Sequence, residues 1–191
     1  MINSIALLLV KLVQWPRIRF YSALSTANLK GKASINQPSL MIGSGIIEFE
    51  RNVKIGYFPS PYFLNGYSHL ETRNKTSLIK IGENTHINNN FVVIAEHKTI
   101  NIGKRCFIGT HVEICDSDFH GIAISERNVS KFEMAKPVTI EDDVFIGSNV
   151  KILKGSIIRH GSVIANGSIV TGEIPANVIA GGIPAKVLRA I

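Results

Sequence analysis

Residues 138–174 read VTIEDDVFIGSNVKILKGSIIRHGSVIANGSIVTGEI. Isoleucine or valine recurs at every sixth position of this stretch: Ile140, Ile146, Ile152, Ile158, Ile164 and Val170. Four positions after each stands a small or β-branched residue: Val144, Val150, Ser156, Ser162, Ser168 and, as the one large exception, Ile174. A period of six fits neither an α-helix nor a simple strand alternation. It is typical of a parallel β-helix, in which three flat faces close a triangular turn of about eighteen residues and turns stack roughly 4.8 Å apart.

The same frame continues towards the N-terminus. One earlier turn contains Ile102, Ile108 and Ile114, and another contains Ile81, Ile87 and Val93. The step from Val93 to Ile102 is nine residues, which indicates a three-residue bulge at Glu96-His97-Lys98. Looser turns are expected at Ile42-Gly43 and Ile55-Gly56. Cys106 falls on an inward corner position, so we expect a buried, reduced thiol.

Two segments interrupt the frame. Residues 57–77 show no usable period and are predicted to form a loop whose aromatic residues either stack on a sugar ring or pack on the β-helix wall. The second segment is 116–137. After Ile114 the next inward position would hold Asp118, which cannot lie unpaired in an apolar core, so the chain should leave the β-helix and return at Val138. Long loops in a regular scaffold are usually functional.

The composition fits one domain with a small appendage. The chain has 191 residues, 45% of them hydrophobic, and a formal net charge of +7. Such a charge indicates an anionic partner. No zinc-finger spacing, recognition-helix pattern or aromatic RNA-binding motif is present, so we expect no nucleic acid partner. A phosphorylated cofactor explains the charge more economically.

The first 26 residues form a separate apolar and basic segment, predicted to be helical. Ile5 to Val13 is nearly all apolar but too short to span a bilayer. Positions 2, 5, 9, 12 and 13 share one helical face, with Trp15, Arg17 and Arg19 beyond them. We favour a helix that caps the open end of the β-helix or packs on a neighbouring subunit; peripheral membrane contact through residues 1–20 is the alternative. Residues 27–178 would form the β-helix and residues 179–191 a C-terminal cap.

Four motifs together identify a family resemblance. These are the hexapeptide turns, the loop with Asp118-Phe119-His120, the segment Val144-Phe145-Ile146-Gly147-Ser148-Asn149, and the closing Ile179-Ala180-Gly181-Gly182-Ile183-Pro184-Ala185-Lys186. The chain resembles the left-handed β-helix acyltransferases, especially galactoside, maltose and bacterial polysaccharide O-acetyltransferases. The resemblance covers residues 80–191 well and residues 27–79 weakly. It implies an all-β, left-handed parallel β-helix and a homotrimer with active sites between adjacent subunits. It also implies acetyl-CoA as donor.

The resemblance assigns catalytic roles. His120 matches the general base that removes a proton from the acceptor hydroxyl during direct attack on the thioester. The backbone N–H of Ser148 matches the donor to the oxyanion, and Asp116 or Asp118 is a candidate for orienting His120. Asn88 and Glu96 match acceptor-binding positions. Metal-binding relatives of this fold need two histidines five residues apart, which this chain lacks, so no metal is expected.

The family resemblance also predicts the residues of the donor site. The pantetheine arm is expected beside Phe145, Gly147, Ser148 and Ala165, with Thr171, Lys186 and Arg189 near the nucleotide phosphates. The family commonly has Thr-Lys-Asp-Ile-Pro where this chain has Thr171-Gly172-Glu173-Ile174-Pro175. One cation is therefore missing, and Arg159 is a candidate replacement.

These expectations define one main function and two alternatives. The main prediction is an acetyl-CoA-dependent O-acetyltransferase acting on a hydroxyl of a surface polysaccharide, O-antigen or capsule precursor. The alternatives are an N-acetyltransferase of a nucleotide-linked amino sugar and a non-catalytic β-helix scaffold subunit. We expect the protein in the cytoplasm, with the inner face of the plasma membrane as a peripheral location.

Overall fold

A computed structural model describes residues 4–191 and shows one helix followed by short strands that form three sheets. The first face contains β1 (Asn28–Lys30), β4 (Ile46–Phe49), β7 (Leu78–Ile81), β10 (Thr99–Ile102), β13 (Val138–Ile140), β16 (Ile157–Ile158) and β19 (Glu173–Ile174). The second contains β2 (Ser34–Ile35), β5 (Lys54–Ile55), β8 (His86–Ile87), β11 (Phe107–Ile108), β14 (Phe145–Ile146), β17 (Val163–Ile164), β20 (Val178–Gly182) and β21 (Ala185–Ala190). The third contains β3 (Ser39–Gly43), β6 (Ser68–Thr72), β9 (Val92–Ala95), β12 (Glu113–Cys115), β15 (Lys151–Ile152) and β18 (Ile169–Val170).

From β1 to β20, each strand pairs in parallel with the strand one turn away. Ile102 lies opposite Ile140 on the first face, and Ile108 lies opposite Ile146 on the second. The six inward residues at the hexapeptide period, from Ile140 to Val170, are fully buried in one continuous core. The predicted left-handed parallel β-helix is therefore confirmed, and we call this three-sided body the prism.

Small polar residues occupy the inward corners because the chain turns there and exposes carbonyl groups. The hydroxyl of Ser162 donates to the carbonyl of Pro175 at 2.6 Å, and that of Ser168 donates to the carbonyl of Ala165 at 2.7 Å. A buried hydroxyl paired in this way costs little. Cys106 occupies another such corner and is fully buried, as predicted, and burial raises the pKa of its thiol to about 11.

The N-terminal part of the prism is more regular than the sequence indicated. The predicted loop 57–77 is wrong for Ser68–Thr72, which form β6 and pair with β3 and β9. The inward residues of β6 are Ser68, Leu70 and Thr72, so polar side chains at both ends hide the apolar period. Residues 57–67 do form a loop, which we call the aromatic loop.

Several rings of the aromatic loop pack against the protein. The ring of Tyr67 lies 4.7 Å from that of Tyr21 in the N-terminal helix, and the ring of Tyr62 lies 4.3 Å from that of His111. Phe63 is buried against Phe58. The packing alternative therefore holds for most of these rings, whereas Tyr57 remains exposed.

Residues 116–137 leave the prism after β12 and return at Val138, as predicted. This excursion loop contains two short 3₁₀-helices, Ile124–Glu126 and Phe132–Met134. Its root is fixed by Asp116, whose buried carboxylate accepts the backbone N–H groups of Glu96, His97 and Lys98 at 2.7, 3.0 and 2.7 Å. The predicted three-residue bulge and the loop root are thus one hydrogen-bonded unit.

The helix α1 (Ser4–Leu24) packs one face on the prism and the aromatic loop. The buried amide of Gln14 donates to the carbonyl of Phe63, and Arg17 donates to the carbonyls of Leu64 and Gly66 at 2.8 and 2.6 Å. Ile18 helps to line a cavity of about 330 Å³ over the first turn of the prism. The C-terminal half of α1 therefore covers the N-terminal end of the prism.

The predicted apolar face of α1 is not buried by this chain. Ile5, Leu9, Leu12 and Val13 are 52–65% exposed, and the predicted member at position 2 lies outside the described residues. No helix within residues 4–191 has the length and apolar character needed to cross a membrane.

The C-terminal residues close the other end of the prism. Strand β20 continues the second face in parallel, and β21 turns back to pair with it in antiparallel orientation. An antiparallel partner interrupts the parallel stacking, so the last turn does not offer the same edge for another coil.

Candidate active site

Small residues form a vertical column at the corner between the second and third faces. Four successive turns place one residue each at this corner: Asn88, Gly109, Gly147 and Ala165. The backbone N–H of each donates to a carbonyl group of the next turn along the chain at 2.8–2.9 Å. A Cβ atom added at Gly147 would lie 2.8 Å from the backbone nitrogen of Asn166 and 2.9 Å from the carbonyl oxygen of Ile164, so a larger residue does not fit. We call this column the small-residue edge.

Aromatic side chains line the second face beside this edge. Phe107 and Phe145 are opposite each other in register and both are exposed. The ring of His86 lies 5.4 Å from that of Phe107, and burial lowers the pKa of His86, with nearby Lys54 adding to the effect. These side chains line a groove of about 380 Å³ that reaches Asn88 and Tyr57. Phe145 therefore forms part of one wall of this groove.

The backbone N–H of Ser148 is not free in this chain. It donates to Oδ1 of Asn166 at 2.8 Å, one turn further along the small-residue edge. The Ser148 hydroxyl in turn accepts the N–H of Thr110 at 3.2 Å. The expected oxyanion donor is therefore engaged by the exposed Asn166 side chain. Asn166 was not identified from the sequence.

Lys186 and Arg189 lie on β21, opposite Gly181 and Ile179 of β20. Both side chains are exposed, and within residues 4–191 neither lies within ion-pair distance of a carboxylate. Lys186 and Arg189 therefore lie at the end of the second face, beyond Phe145 and Ala165. Their charged groups can bind an anion there.

Arg159, the candidate replacement for the missing cation, is already paired with two carboxylates. Arg159 contacts Glu141 and Glu173 at 2.8 Å each, and it holds the pKa of Glu141 below its usual range. Thr171 follows β18 at the corner between the third and first faces, away from Lys186. We call this corner, from which the excursion loop departs, the excursion edge.

His120 lies at the excursion edge with its side chain exposed. Its Nδ1 atom lies 3.2 Å from the carbonyl oxygen of Gly121. A carbonyl oxygen can only accept, so this contact requires the proton on Nδ1 and leaves the Nε2 lone pair open in the neutral ring. This is the tautomer that a general base needs.

Neither aspartate orients this imidazole. Asp116 is buried and its carboxylate holds the N–H groups of the 96–98 turn, while the Asp118 carboxylate pairs with Lys154. The predicted aspartate contact with His120 is therefore wrong in this chain. The carbonyl of Gly121 takes that place, which no pattern in the sequence could indicate.

An ionic cluster surrounds the loop root. The guanidinium of Arg73 lies 4.5 Å from the centre of the Phe119 ring, beside His120, and donates to Glu71 at 2.9 Å. Glu96 lies 3.8 Å from Arg73 and is almost fully buried, so it is not open to an acceptor. Arg73 was missed because β6 was predicted as loop.

Asn88 lies at the other edge of the prism. Its amide donates to the hydroxyl of Ser60 in the aromatic loop at 2.9 Å, so it also has a partner within this chain. The two predicted acceptor-binding residues, Asn88 and Glu96, are therefore not brought together in one chain.

The predicted site residues thus divide between two edges of the same prism. The excursion edge carries His120, Thr171 and Glu96, whereas the small-residue edge and second face carry Asn88, Phe145, Gly147, Ser148, Ala165, Lys186 and Arg189. A full face separates the two sets. Within residues 4–191 no group of three metal-binding side chains is clustered.

Comparison with known proteins identifies the family. A putative lipopolysaccharide biosynthesis O-acetyltransferase of Escherichia coli K12 is 31% identical over 160 residues, which cover 74% of this chain and 81% of the relative. Residues 137–172 match the model of the hexapeptide repeat of succinyl-transferase. The chain belongs to the hexapeptide-repeat acetyltransferases.

Two further relatives extend this result. Galactoside O-acetyltransferase of E. coli K12 is 36% identical over 115 residues, covering 60% of this chain and 55% of the relative. A hexapeptide-repeat acetyltransferase of Vibrio cholerae, solved with acetyl-CoA, is 25% identical with a TM-score of 0.59 and covers 95% of this chain and 81% of that one. The chain spans about half the length of several curated relatives, among them the galactoside enzyme.

Proposed function

We propose that this protein is an acetyl-CoA-dependent O-acetyltransferase that modifies a hydroxyl of a saccharide, such as a precursor of a surface polysaccharide, O-antigen or capsule. The observation that carries the proposal is the 31% identity, over most of both chains, to a putative lipopolysaccharide biosynthesis O-acetyltransferase. The galactoside O-acetyltransferase relative supports the same acceptor class. The Vibrio cholerae protein, solved with acetyl-CoA, supports the donor.

In the proposed mechanism, Nε2 of His120 removes the proton of the acceptor hydroxyl as its oxygen attacks the thioester carbon. A sugar hydroxyl is too weakly acidic to react unaided near neutral pH, and a positioned base contributes typically about 10²–10⁴-fold. The carbonyl of Gly121 holds the required tautomer. The C–S bond then breaks, acetyl is transferred to the oxygen, and the proton passes from His120 to the leaving thiolate.

The remaining residues would bind the donor. Gly147 and Ala165 allow the pantetheine arm to approach the backbone, Phe145 lies along its side, and Lys186 and Arg189 meet the phosphates. The N–H of Ser148 would stabilise the oxyanion once Asn166 releases it. Thr171 would contribute from the other edge of a neighbouring subunit.

We further propose a homotrimer in which each active site lies between two subunits. His120 and the donor-side residues lie on different edges of one prism, so a single chain does not assemble the site. Cyclic packing of three prisms would bring the excursion edge of one subunit against the small-residue edge of the next. A cytoplasmic location stays a prediction.

The proposal is tested by thiol release from acetyl-CoA with a panel of free sugars, nucleotide-linked sugars, nucleotide-linked amino sugars and lipid-linked glycans. We expect release with a hydroxyl acceptor and an ester product. Release only with amino sugars, giving an amide, would favour the N-acetyltransferase alternative. Absence of release with any acceptor and of acetyl-CoA binding would favour the scaffold alternative.

The role of His120 is tested by His120→Ala, with His160→Ala as the matched control because His160 is also exposed but lies at the corner between the first and second faces. We expect His120→Ala to lose at least about a hundredfold in kcat while acetyl-CoA binding is retained. His160→Ala should keep its activity. Full turnover by His120→Ala would refute the general-base assignment.

A further inference from the structure

The helix α1 has two faces with different environments. The inner face carries Gln14 and Arg17, which bind carbonyl groups of the aromatic loop, and Ile18, which covers the first turn of the prism. The outer face is apolar and exposed. Its side chains with 52–64% exposure are Leu8, Leu9, Leu12, Val13, Trp15 and Phe20. Leu12 and Trp15 lie at the border of this face, where they also line a groove of about 820 Å³ with Tyr57, Phe58 and Phe63.

The outer face cannot be buried by rotation of α1. The inner face is held by the Gln14 amide and by the two hydrogen bonds of Arg17 to Leu64 and Gly66, so the helix has a fixed orientation. A contiguous apolar patch of this kind is rare on a monomeric soluble protein and marks a surface that contacts a partner or a membrane.

Charge favours a lipid surface over self-association of this helix. The helix contains Lys11, Arg17 and Arg19 and no acidic residue. The Arg19 guanidinium lies 5.7 Å from the centre of the Trp15 ring, and exposed Lys30 and Lys32 follow in the first turn of the prism. The same helix of a second copy would bring like charges together without any carboxylate to pair them. Anionic lipid headgroups would neutralise the exposed cations Lys11 and Arg19.

We propose that the outer face of α1 docks in the plane of an anionic lipid bilayer. Leucine and valine side chains enter the boundary between headgroups and acyl chains, Trp15 lies at the interface, and Lys11 and Arg19 contact headgroup phosphates. The helix lies on the membrane and does not cross it. This inference goes beyond the proposed function and does not depend on it, because lipid binding needs neither acetyl-CoA nor acceptor.

The test is cosedimentation of the full chain with vesicles of phosphatidylcholine and phosphatidylglycerol in equal parts, and with phosphatidylcholine alone. The variant Leu9→Asp/Leu12→Asp should reduce the partition coefficient on anionic vesicles by at least about tenfold. The variant Lys11→Gln/Arg19→Gln should remove most of the preference for anionic vesicles. The matched control is Ile183→Asp/Leu188→Asp, which introduces the same charges at two exposed apolar positions of the C-terminal cap and should pellet like the wild type.

Each other outcome overturns the proposal. Wild-type protein that stays in the supernatant with anionic vesicles has no bilayer-docking face. If Leu9→Asp/Leu12→Asp pellets as much as the wild type and its thermal unfolding is unchanged, the protein contacts lipid through a surface other than α1. A smaller particle for that variant in lipid-free sedimentation means that a second copy covers α1.

Discussion

At the scale of single residues, Asp116 joins two turns of the prism through one carboxylate. It is fully buried, and it pairs the three N–H groups of the 96–98 turn while the excursion loop starts from the same residue. Removing the carboxylate leaves one buried and two partly buried donors unpaired, and a buried donor without a partner costs about 1–3 kcal/mol. This residue is therefore expected to hold the root of the loop that carries His120.

We predict that Asp116→Ala lowers the free energy of unfolding by about 3 kcal/mol or more, measured by urea denaturation. The control is Asp118→Ala, two residues away, whose exposed carboxylate pairs with Lys154. That change should cost less than about 1 kcal/mol, as exposed ion pairs do. Equal losses in the two variants would show that the three backbone contacts do not stabilise the fold.

The two cysteines provide a test of burial that depends on pH. Burial raises the pKa values of Cys106 and Cys115 to about 11, so the folded state favours the neutral thiols. Their contribution to stability is complete below the ordinary thiol pKa of about 8.5 and is lost as the pH rises towards 11. We expect the urea midpoint to fall over this window more steeply in the wild type than in Cys106→Ala/Cys115→Ala.

Thiol labelling gives a second measurement of the same feature. Near pH 8 both cysteines should resist a disulfide reagent in the native protein and react in urea. Rapid labelling of the native protein would contradict the described burial.

At the scale of elements, each two-residue strand presents one side chain to the core and one to the outside. Strand β16 contains Ile157, which faces outwards, and Ile158, which is fully buried. Replacing either isoleucine by alanine removes the same atoms, from the core at Ile158 and from the outer surface at Ile157.

We predict that Ile158→Ala lowers the free energy of unfolding by about 2–5 kcal/mol, because it leaves a cavity in the core. Ile157→Ala, measured in the same urea titration, should cost clearly less. A reversed order would mean that the register of the first face is shifted by one residue.

Most elements of the prism could be predicted because the inward residue recurs every six positions, as it does from Ile140 to Val170. The six-residue period did not predict β6, because its inward residues Ser68 and Thr72 are polar and sequence patterns assign such residues to the surface. The contacts of Asp116, Gly121 and Asn166 join residues in different turns or depend on one carbonyl group. Such contacts follow from stacking geometry and have no signature in the local sequence.

At the scale of the whole molecule, family motifs suggest candidate site residues but do not place them on the fold. Motifs give the order of His120, Ser148 and Lys186 along the chain, whereas the prism puts His120 on one edge and the other two on another. In the proposed site, a single chain would therefore supply two separate halves. The proposed trimer would complete each site with residues from two subunits.

Mixed trimers test this arrangement most directly. Two variants are prepared, His120→Ala and Lys186→Glu/Arg189→Glu, each expected to have little activity alone because one lacks the base and the other repels the phosphates. The variants are unfolded together, refolded in equal amounts, and assayed for thiol release with an active acceptor.

If each site forms between subunits, random assembly gives about a quarter of the clefts both an intact His120 and intact cations, so about a quarter of wild-type activity should return. If each site forms within one chain, every site keeps one defect. Activity no higher than the sum of the separate variants, in a mixture that sediments as a trimer, would contradict the intersubunit site.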